Sequence, residues 1–322
     1  MPKFLRELFR SPKQHRGTFR QIPIYLGKFF RMFIYMDDWK VLPMSAIVAA
    51  LVAFVVGKNL GVSMEATLKS SLALTCVCIW NGFFNSIQVV CRERDIVKRE
   101  HRNGMHIFSY IVSHMIYQAF ICLLQTIITI AVCVMAKIQF PAEGFITSYF
   151  YLDLGITLFL ITYAADMMSL TISCLAKTTT AAMTLMPFLL IFELVFSGTM
   201  FGVGKDMEFL TNASIAKWGT QCICAQMDYN ELKMTSVWSQ VKKMKNVEYE
   251  GSKPVAEVIE IMEEDPESIE EFELNCAKNN QKDEYAKSEK NIYNCWSTMG
   301  MFIIVFALLS MLVLGRIDKD SR

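Results

Sequence analysis

Several signatures are missing from this 322-residue chain, and each absence removes a class of function. Only four histidines occur, His15, His101, His106 and His114, and none belongs to an HExxH pair or sits beside triad companions. Zinc hydrolysis and serine-type nucleophilic catalysis therefore have no footing. There is no G-x-x-x-x-G-K-[ST] loop. The nearest stretch, Gly202-Val203-Gly204-Lys205-Asp206, lacks both the spacing and the hydroxyl, so ATP hydrolysis by this chain is not expected. Its 32 basic and 31 acidic residues leave a net charge of +1, and no basic tract carries interleaved aromatics, which argues against nucleic acid as a partner. Cys222-Ile-Cys224 is too close for a metal clamp without nearby histidine, so neither a metal nor a cofactor is expected on this chain. No internal repeat is visible. No signal-peptide pattern is present either, so the charged amino terminus is expected to be retained.

What is present is apolar residue in bulk: 53% of the chain is hydrophobic, gathered into long uncharged blocks separated by charged stretches. A bilayer selects that distribution; a water-soluble core does not. About 20 helical residues cross ~30 Å of hydrocarbon, and six stretches qualify: 41–57, 70–90, 107–136, 149–176, 181–203 and 296–315. The first is short and carries Pro43 near its start, so it is expected to begin inside a preceding helix. The predicted fold is an all-α integral membrane protein with six transmembrane helices. Residues 1–40 form a cytoplasmic tail and an amino-terminal interfacial helix, 41–203 spans one to five, 204–295 an external domain, and 296–322 the sixth span and a tail.

Charge sets the orientation, because Lys and Arg near span ends resist translocation. Segments 1–40, 91–106 and 316–322, with Lys177, hold 18 basic residues, whereas the two short loops on the other side hold only Lys58, Lys69 and Lys137. Every Arg lies on the first side. Both termini are therefore expected in the cytoplasm. Residues 204–295 carry 18 acidic against 11 basic residues, with apolar positions recurring at helical spacing between Pro254 and Asn279. An acid-rich helix of this kind is a solvated face or, alternatively, an attractor of cations. Four cysteines, Cys222, Cys224, Cys276 and Cys295, fall in or beside this segment; three pairings are open and sequence does not choose.

Between Thr18 and Asp38 one broad helical face carries Ile22, Tyr25, Leu26, Phe29, Phe30 and Phe33, with Lys28 and Arg31 displaced from it. That pattern suits a helix lying in the headgroup plane, or one packed on protein. Inside the spans, Asn81, Asn85 and Gln88 make a polar stripe with Phe84 beside it. The stripe reads either as interhelical hydrogen-bonding or as a wall facing a substrate. Glu193 lies about 20 Å deep in the fifth span by helical rise, where a carboxyl is protonated, paired or exposed to a water-filled path. Asp153 and Asp166 in the fourth span read as structural. After Glu193, Leu194-Val195-Phe196-Ser197-Gly198 invites a break or constriction, and Pro187 bends the same helix.

The segment Cys91-Arg92-Glu93-Arg94-Asp95-Ile96-Val97-Lys98-Arg99-Glu100-His101-Arg102-Asn103-Gly104, running into MHIFSYIVSHM, resembles the coupling segment of the type-2 ATP-binding-cassette export permeases. Within these it is similar to the G subfamily. The likeness extends to the helix before the first span, the six-span order, the P…FSG pattern of the fifth span, the external segment and Ile215-Ala216-Lys217-Trp218. The resemblance implies that Glu93, Arg94, Arg99, Glu100 and Gly104, within a coupling helix over 91–106, transmit motion from an ATPase. It also implies a substrate path between two permease copies walled by Asn81, Phe84, Asn85, Gln88, Phe192 and Glu193, with an outer gate at Phe196, Ser197 and Gly198. Glu193 departs from the family pattern, which raises either selection of a cationic substrate or a structural hydrogen bond from a protonated carboxyl. ATP and Mg would sit on a separate ATPase partner chain, which points to a bacterial plasma membrane.

The function expected is therefore a permease subunit, working as a homodimer or heterodimer, that exports a small amphiphile, drug or peptide. The rivals are a membrane sensor or assembly scaffold with an external ligand-binding domain, and an exporter of lipid-linked polymer.

Overall fold

The computed structural model describes residues 17–36, 38–57, 59–141, 143–199, 204, 207–248 and 253–317. The first part of the amino-terminal tail (1–16), the end of the expected fifth span (200–203) and the last five residues lie outside them. Described residues form helices and turns with no strand. In chain order the helices are α1 (Thr18–Tyr35), α2 (Val41–Val56), α3 (Met64–Ser86), α4 (Val89–Arg92) and α5 (Arg94–Arg102), then α6 (Ile107–Met135), α7 (Phe150–Leu175) and α8 (Thr179–Val195). The remaining helices are α9 (Glu208–Asn212), α10 (Ile215–Gln226), α11 (Thr235–Lys243), α12 (Pro254–Glu264), α13 (Pro266–Asn279) and α14 (Glu289–Leu314).

Among the described residues, five stretches are long and apolar enough to cross a membrane: Asp38–Val56, Met64–Arg92, Ile107–Met135, Phe150–Leu175 and Glu289–Leu314. Hydroxyl caps set where several of these helices begin. Ser63 accepts from Ala66 N at 3.4 Å and starts α3 well before its apolar run, leaving Glu65 in the first turn, where a carboxylate suits the helix dipole. Ser288 does the same for α14 through Asn291 N at 3.2 Å. The first span does not grow out of the preceding helix as expected. α1 stops at Tyr35, a 3-10 turn over Asp38–Lys40 intervenes, and Pro43 falls in the first turn of α2, where its missing N–H leaves no bond unmade.

The helix expected as the fifth span is shorter than the sequence indicated and is not among those five. α8 has 17 residues, about 25 Å at 1.5 Å per residue, and ends at Val195, where Phe196 turns and Gly198 takes a φ of 72°. Residues 181–203 are therefore not one continuous helix. The segment expected to be external is not wholly outside the bundle either. Within it, α10 is buried over most of its length and packs against α3, α7, α8 and α14. Gly219 makes this possible, because a Cβ there would meet Thr75 Cγ2 and Ile161 Cδ1 at 2.8 Å. The remainder of the segment, α11 to α13, packs on itself and is stitched to the start of α3. Met64 N donates to Lys233 O at 3.0 Å, and Ser236 Oγ donates to the Glu65 carboxylate.

At the centre, α3 and α7 lie along one another, with 72% of the most apolar stretch of each buried, against 22% for the first span and 33% for the last. Gly82 is the closest approach; a Cβ there would collide with Thr162 O and lie 2.8 Å from Ala165 Cβ and Asp166 N. α14 covers the other side of α7, joined by Trp296 Nε1 to Thr157 Oγ1 at 2.8 Å and by Thr171 Oγ1 to Phe306 O at 3.0 Å. α1 and α2 pack on α6. The aromatic face of α1 is thus turned to protein: Phe29 is buried, with its ring 5.6 Å from Tyr110 and 5.2 Å from His114.

Candidate functional site

The segment expected to couple is held at three points. Lys28 Nζ, from α1, lies 3.2 Å from Glu93 Oε2 and 3.6 Å from Glu100 Oε1, so one ammonium gathers both carboxylates. Arg94 turns the other way. Its guanidinium donates to Cys174 O at 2.9 Å and Ala176 O at 3.0 Å, the carbonyls that the end of α7 leaves without helical partners. Gly104 has a φ of 109°, a backbone state that disfavours any side chain. Its carbonyl accepts from Gln21 Nε2 at 3.0 Å, while Gln21 Oε1 accepts from His106 N at 2.9 Å. A single buried amide thereby fixes the turn between α5 and α6.

Of the predicted coupling residues, then, Glu93, Arg94, Glu100 and Gly104 are spent on intramolecular contacts, and Arg99 alone is exposed. Beside it the same helix exposes Asp95, Ile96 and Arg102. Sequence reasoning passed over these. The signal available was the helical register: Val97 is fully buried, which turns 95, 96, 99 and 102 outward.

The polar stripe of α3 is divided. Asn81 Nδ2 donates to Ser45 Oγ at 3.1 Å. Asn85 exchanges two hydrogen bonds with Gln125, both at 2.9 Å, tying α3 to α6. Beside it, Ser86 Oγ donates to Asp166 Oδ1 at 2.6 Å and accepts from Gln118 Nε2 at 3.1 Å. These amides are interhelical ties, each worth about 0.6–2 kcal/mol. Phe84, in contrast, is exposed and leans on exposed Trp80, ring centroids 5.4 Å apart. Gln88 is half-buried where α3 breaks, and its carbonyl accepts from Arg92 N at 2.9 Å.

Glu193 does not face an open path. It is 2% exposed, and its Oε2 accepts from Ser214 Oγ at 2.8 Å and from Ala216 N at 2.8 Å. The carboxylate caps the start of α10, where free N–H groups and the helix dipole favour an anion. Those two donors meet one carboxylate oxygen, Oε2, which is the structural hydrogen bonding that a carboxyl at this depth was also expected to make. Phe192 and Phe196 pair with centroids 4.9 Å apart at the end of α8. Ser197 Oγ donates to Leu194 O at 2.8 Å, closing the last turn before Gly198.

The charged residues of α7 also have structural work. Asp153 gathers Phe145 N, Ile146 N and Thr147 N at 2.8, 2.9 and 3.0 Å, closing the loop that leads into its own helix. All ten cysteines are free thiols. Cys222, Cys224 and Cys295 are fully buried where the external segment was expected to begin and end.

The bundle thus combines a central pair of spans, a helix at one end anchored to both α1 and α7, and a short apolar helix leading to a buried returning helix. Residues 26–223 match the ABC-2 type transporter family, more than half of the chain. No curated protein matches the sequence. The chain belongs to the ABC-2 type transporter family and is a multi-pass transmembrane permease component.

Proposed function

We propose, from that membership, that the chain is the permease of an exporter in which two copies face each other and each docks an ATP-binding-cassette ATPase. The anchoring of α5 to α7 and α1 is the observation that carries this reading. A push on the exposed residues Asp95, Ile96, Arg99 and Arg102 passes through Arg94 into the end of α7 and through Lys28 into α1. ATP and Mg belong to the ATPase. With the termini in the cytoplasm, the α5 end faces the ATPase and α11 to α13 face outward.

The path between copies is walled by α3 and α8. Support comes from their exposed apolar side chains: Trp80 and Phe84 on one, Leu185, Phe188, Ile191 and Leu194 on the other. A wall of this composition suits a small amphiphile, and Phe192 with Phe196 stands at its outer end. With Asn81, Asn85 and Glu193 turned inward, discrimination rests on shape and apolar contact rather than on a charged pair. Purification of the tagged chain from its native membrane, followed by mass spectrometry, tests the assembly. A stoichiometric ATPase bearing an intact phosphate loop is the expected companion. Recovery with non-ATPase companions alone would sink the proposal. In the reconstituted complex, Ile96→Asp should weaken ATPase association while leaving the permease folded.

A further inference from the structure

Where α2 ends and α3 begins, a recess of about 430 Å³ opens between the two helices and the first turn of α11. Its level in the membrane follows from length. The apolar stretch Met64–Arg92 has 29 residues, about 43 Å at 1.5 Å per residue, against ~30 Å of hydrocarbon. Part of it must therefore stand outside the hydrocarbon, and the polar first turns of α3, beside the end of α2 at Val56, put one such part here. Val55 and Ala73 line the recess on the side toward the hydrocarbon. Val55, 74% exposed, continues into an apolar strip of α2 with exposed Leu51 and Phe54.

The other side of the recess is made of donors. Lys69 is exposed there and makes no ion pair or hydrogen bond among the described residues. Glu65 stands four residues before it, the spacing at which Glu and Lys pair on a helix. That pair is not made. Glu65 turns to α11 instead: its Oε1 accepts from Ser236 N at 3.3 Å and from Ser236 Oγ, and its Oε2 is buried. The ammonium of Lys69 is thus left beside the recess without a counter-charge. Ser70, Asn59 and Thr235 line the same recess, and none of their side chains makes a hydrogen bond among the described residues. All four side chains can donate, and the ammonium can only donate. A phosphodiester, which carries negative charge and only accepts, meets them together. A choline attached to it would bring a second cation to Lys69 with no carboxylate in reach, so the matching headgroup is one with net negative charge. Because the recess opens onto the apolar strip of α2, its ligand comes from the bilayer rather than from solution. We propose that the recess binds an anionic glycerophospholipid, its phosphate against Lys69, Ser70, Asn59 and Thr235 and its acyl chains along Leu51, Phe54 and Val55.

The site needs no second copy and no ATPase, only a chain that crosses a membrane, so it stands apart from the transport reading. The test uses the full chain in phosphatidylcholine nanodiscs doped with a phosphatidylglycerol that carries a diazirine high on one acyl chain, adducts being mapped by mass spectrometry after photolysis. Labelling that levels off with mole fraction is expected on peptides containing Val55 or Ala73. A phosphatidylcholine bearing the same diazirine, at the same mole fraction, should label those peptides about tenfold less, a charge-assisted contact being worth roughly that factor. Lys69→Gln should bring the phosphatidylglycerol probe down to the phosphatidylcholine level, and Lys69→Arg should retain most of the difference. Equal labelling by the two probes, or labelling unchanged by Lys69→Gln, would overturn the site. Displacement of the probe by soluble glycerol phosphate would overturn the lipid as its occupant. Should Lys69→Gln fail to fold, the comparison of the two probes on the unaltered chain still decides.

Discussion

Glu193 is the single carboxyl of α8, and the helix that returns to it in space sets its surroundings. Its carboxylate joins the last turn of α8 to the first of α10 through Ser214 and Ala216. Glu193→Ala removes a helix cap and should cost about 1–2 kcal/mol, read as a lowered melting temperature of the purified protein. Glu193→Gln keeps an acceptor for the same donors and should retain most of that stability. A variant that lost efflux of cations alone, with stability untouched, would restore the selectivity role. At Gly82 the expectation is steric. Gly82→Ala drives a methyl into the backbone of α7 at Thr162 and Asp166, and should destabilise by about 1–3 kcal/mol. The check is whether the variant still purifies as a monodisperse protein.

Among the elements, α5 has the most to lose from a single substitution, since one lysine serves two carboxylates. Glu93 is buried and Lys28 is about a third exposed, so solvent screens part of the attraction. Lys28→Met should destabilise by about 1–2 kcal/mol and raise hydrogen exchange selectively in residues 94–105. Uniform exchange along the chain would show that α5 is held by other means. The turn after α5 also responds to acid. Burial pushes His106 below its ordinary 6.5, and the neighbouring His101 lowers it further. Protonation therefore favours local opening of the turn. The stabilisation is complete above about pH 6.5 and fades as pH falls below that value. Amides around residues 103–106 should accordingly lose protection between pH 7.5 and 5.5, after correction for intrinsic exchange, and His106→Asn should blunt the change.

For the molecule as a whole, the proposed contact between copies falls on α8, which is unevenly covered. It touches α3, α7 and α10 on one side and exposes Leu185, Phe188 and Ile191 on the other. Facing copies would bring those side chains together near the axis. Single cysteines at Leu185 and Ile191, introduced into a background without the native thiols, should cross-link copies in membranes. Cysteine at Leu308, on the exposed side of α14, should not. Cross-linking at Leu308 alone would place the interface on the opposite flank.

Apolar run length and helical periodicity were enough, in one dimension, to define an all-helical membrane protein, its long spans and the helix that precedes them. Those signals are local: a run of twenty uncharged residues means the same thing in any context. The ER…RE…G segment was legible as a unit only through its resemblance to a family pattern. Its internal assignments were not, because whether Arg94 reaches a partner or the end of α7 depends on a residue 80 positions away. The same holds for Asn85, whose amide finds Gln125 across a helix interface. Where the fifth span ends, and that α10 returns into the bundle, depended on a carboxylate meeting free N–H groups 23 residues later in sequence. Composition tells which residues avoid water, but only packing decides which polar groups find one another.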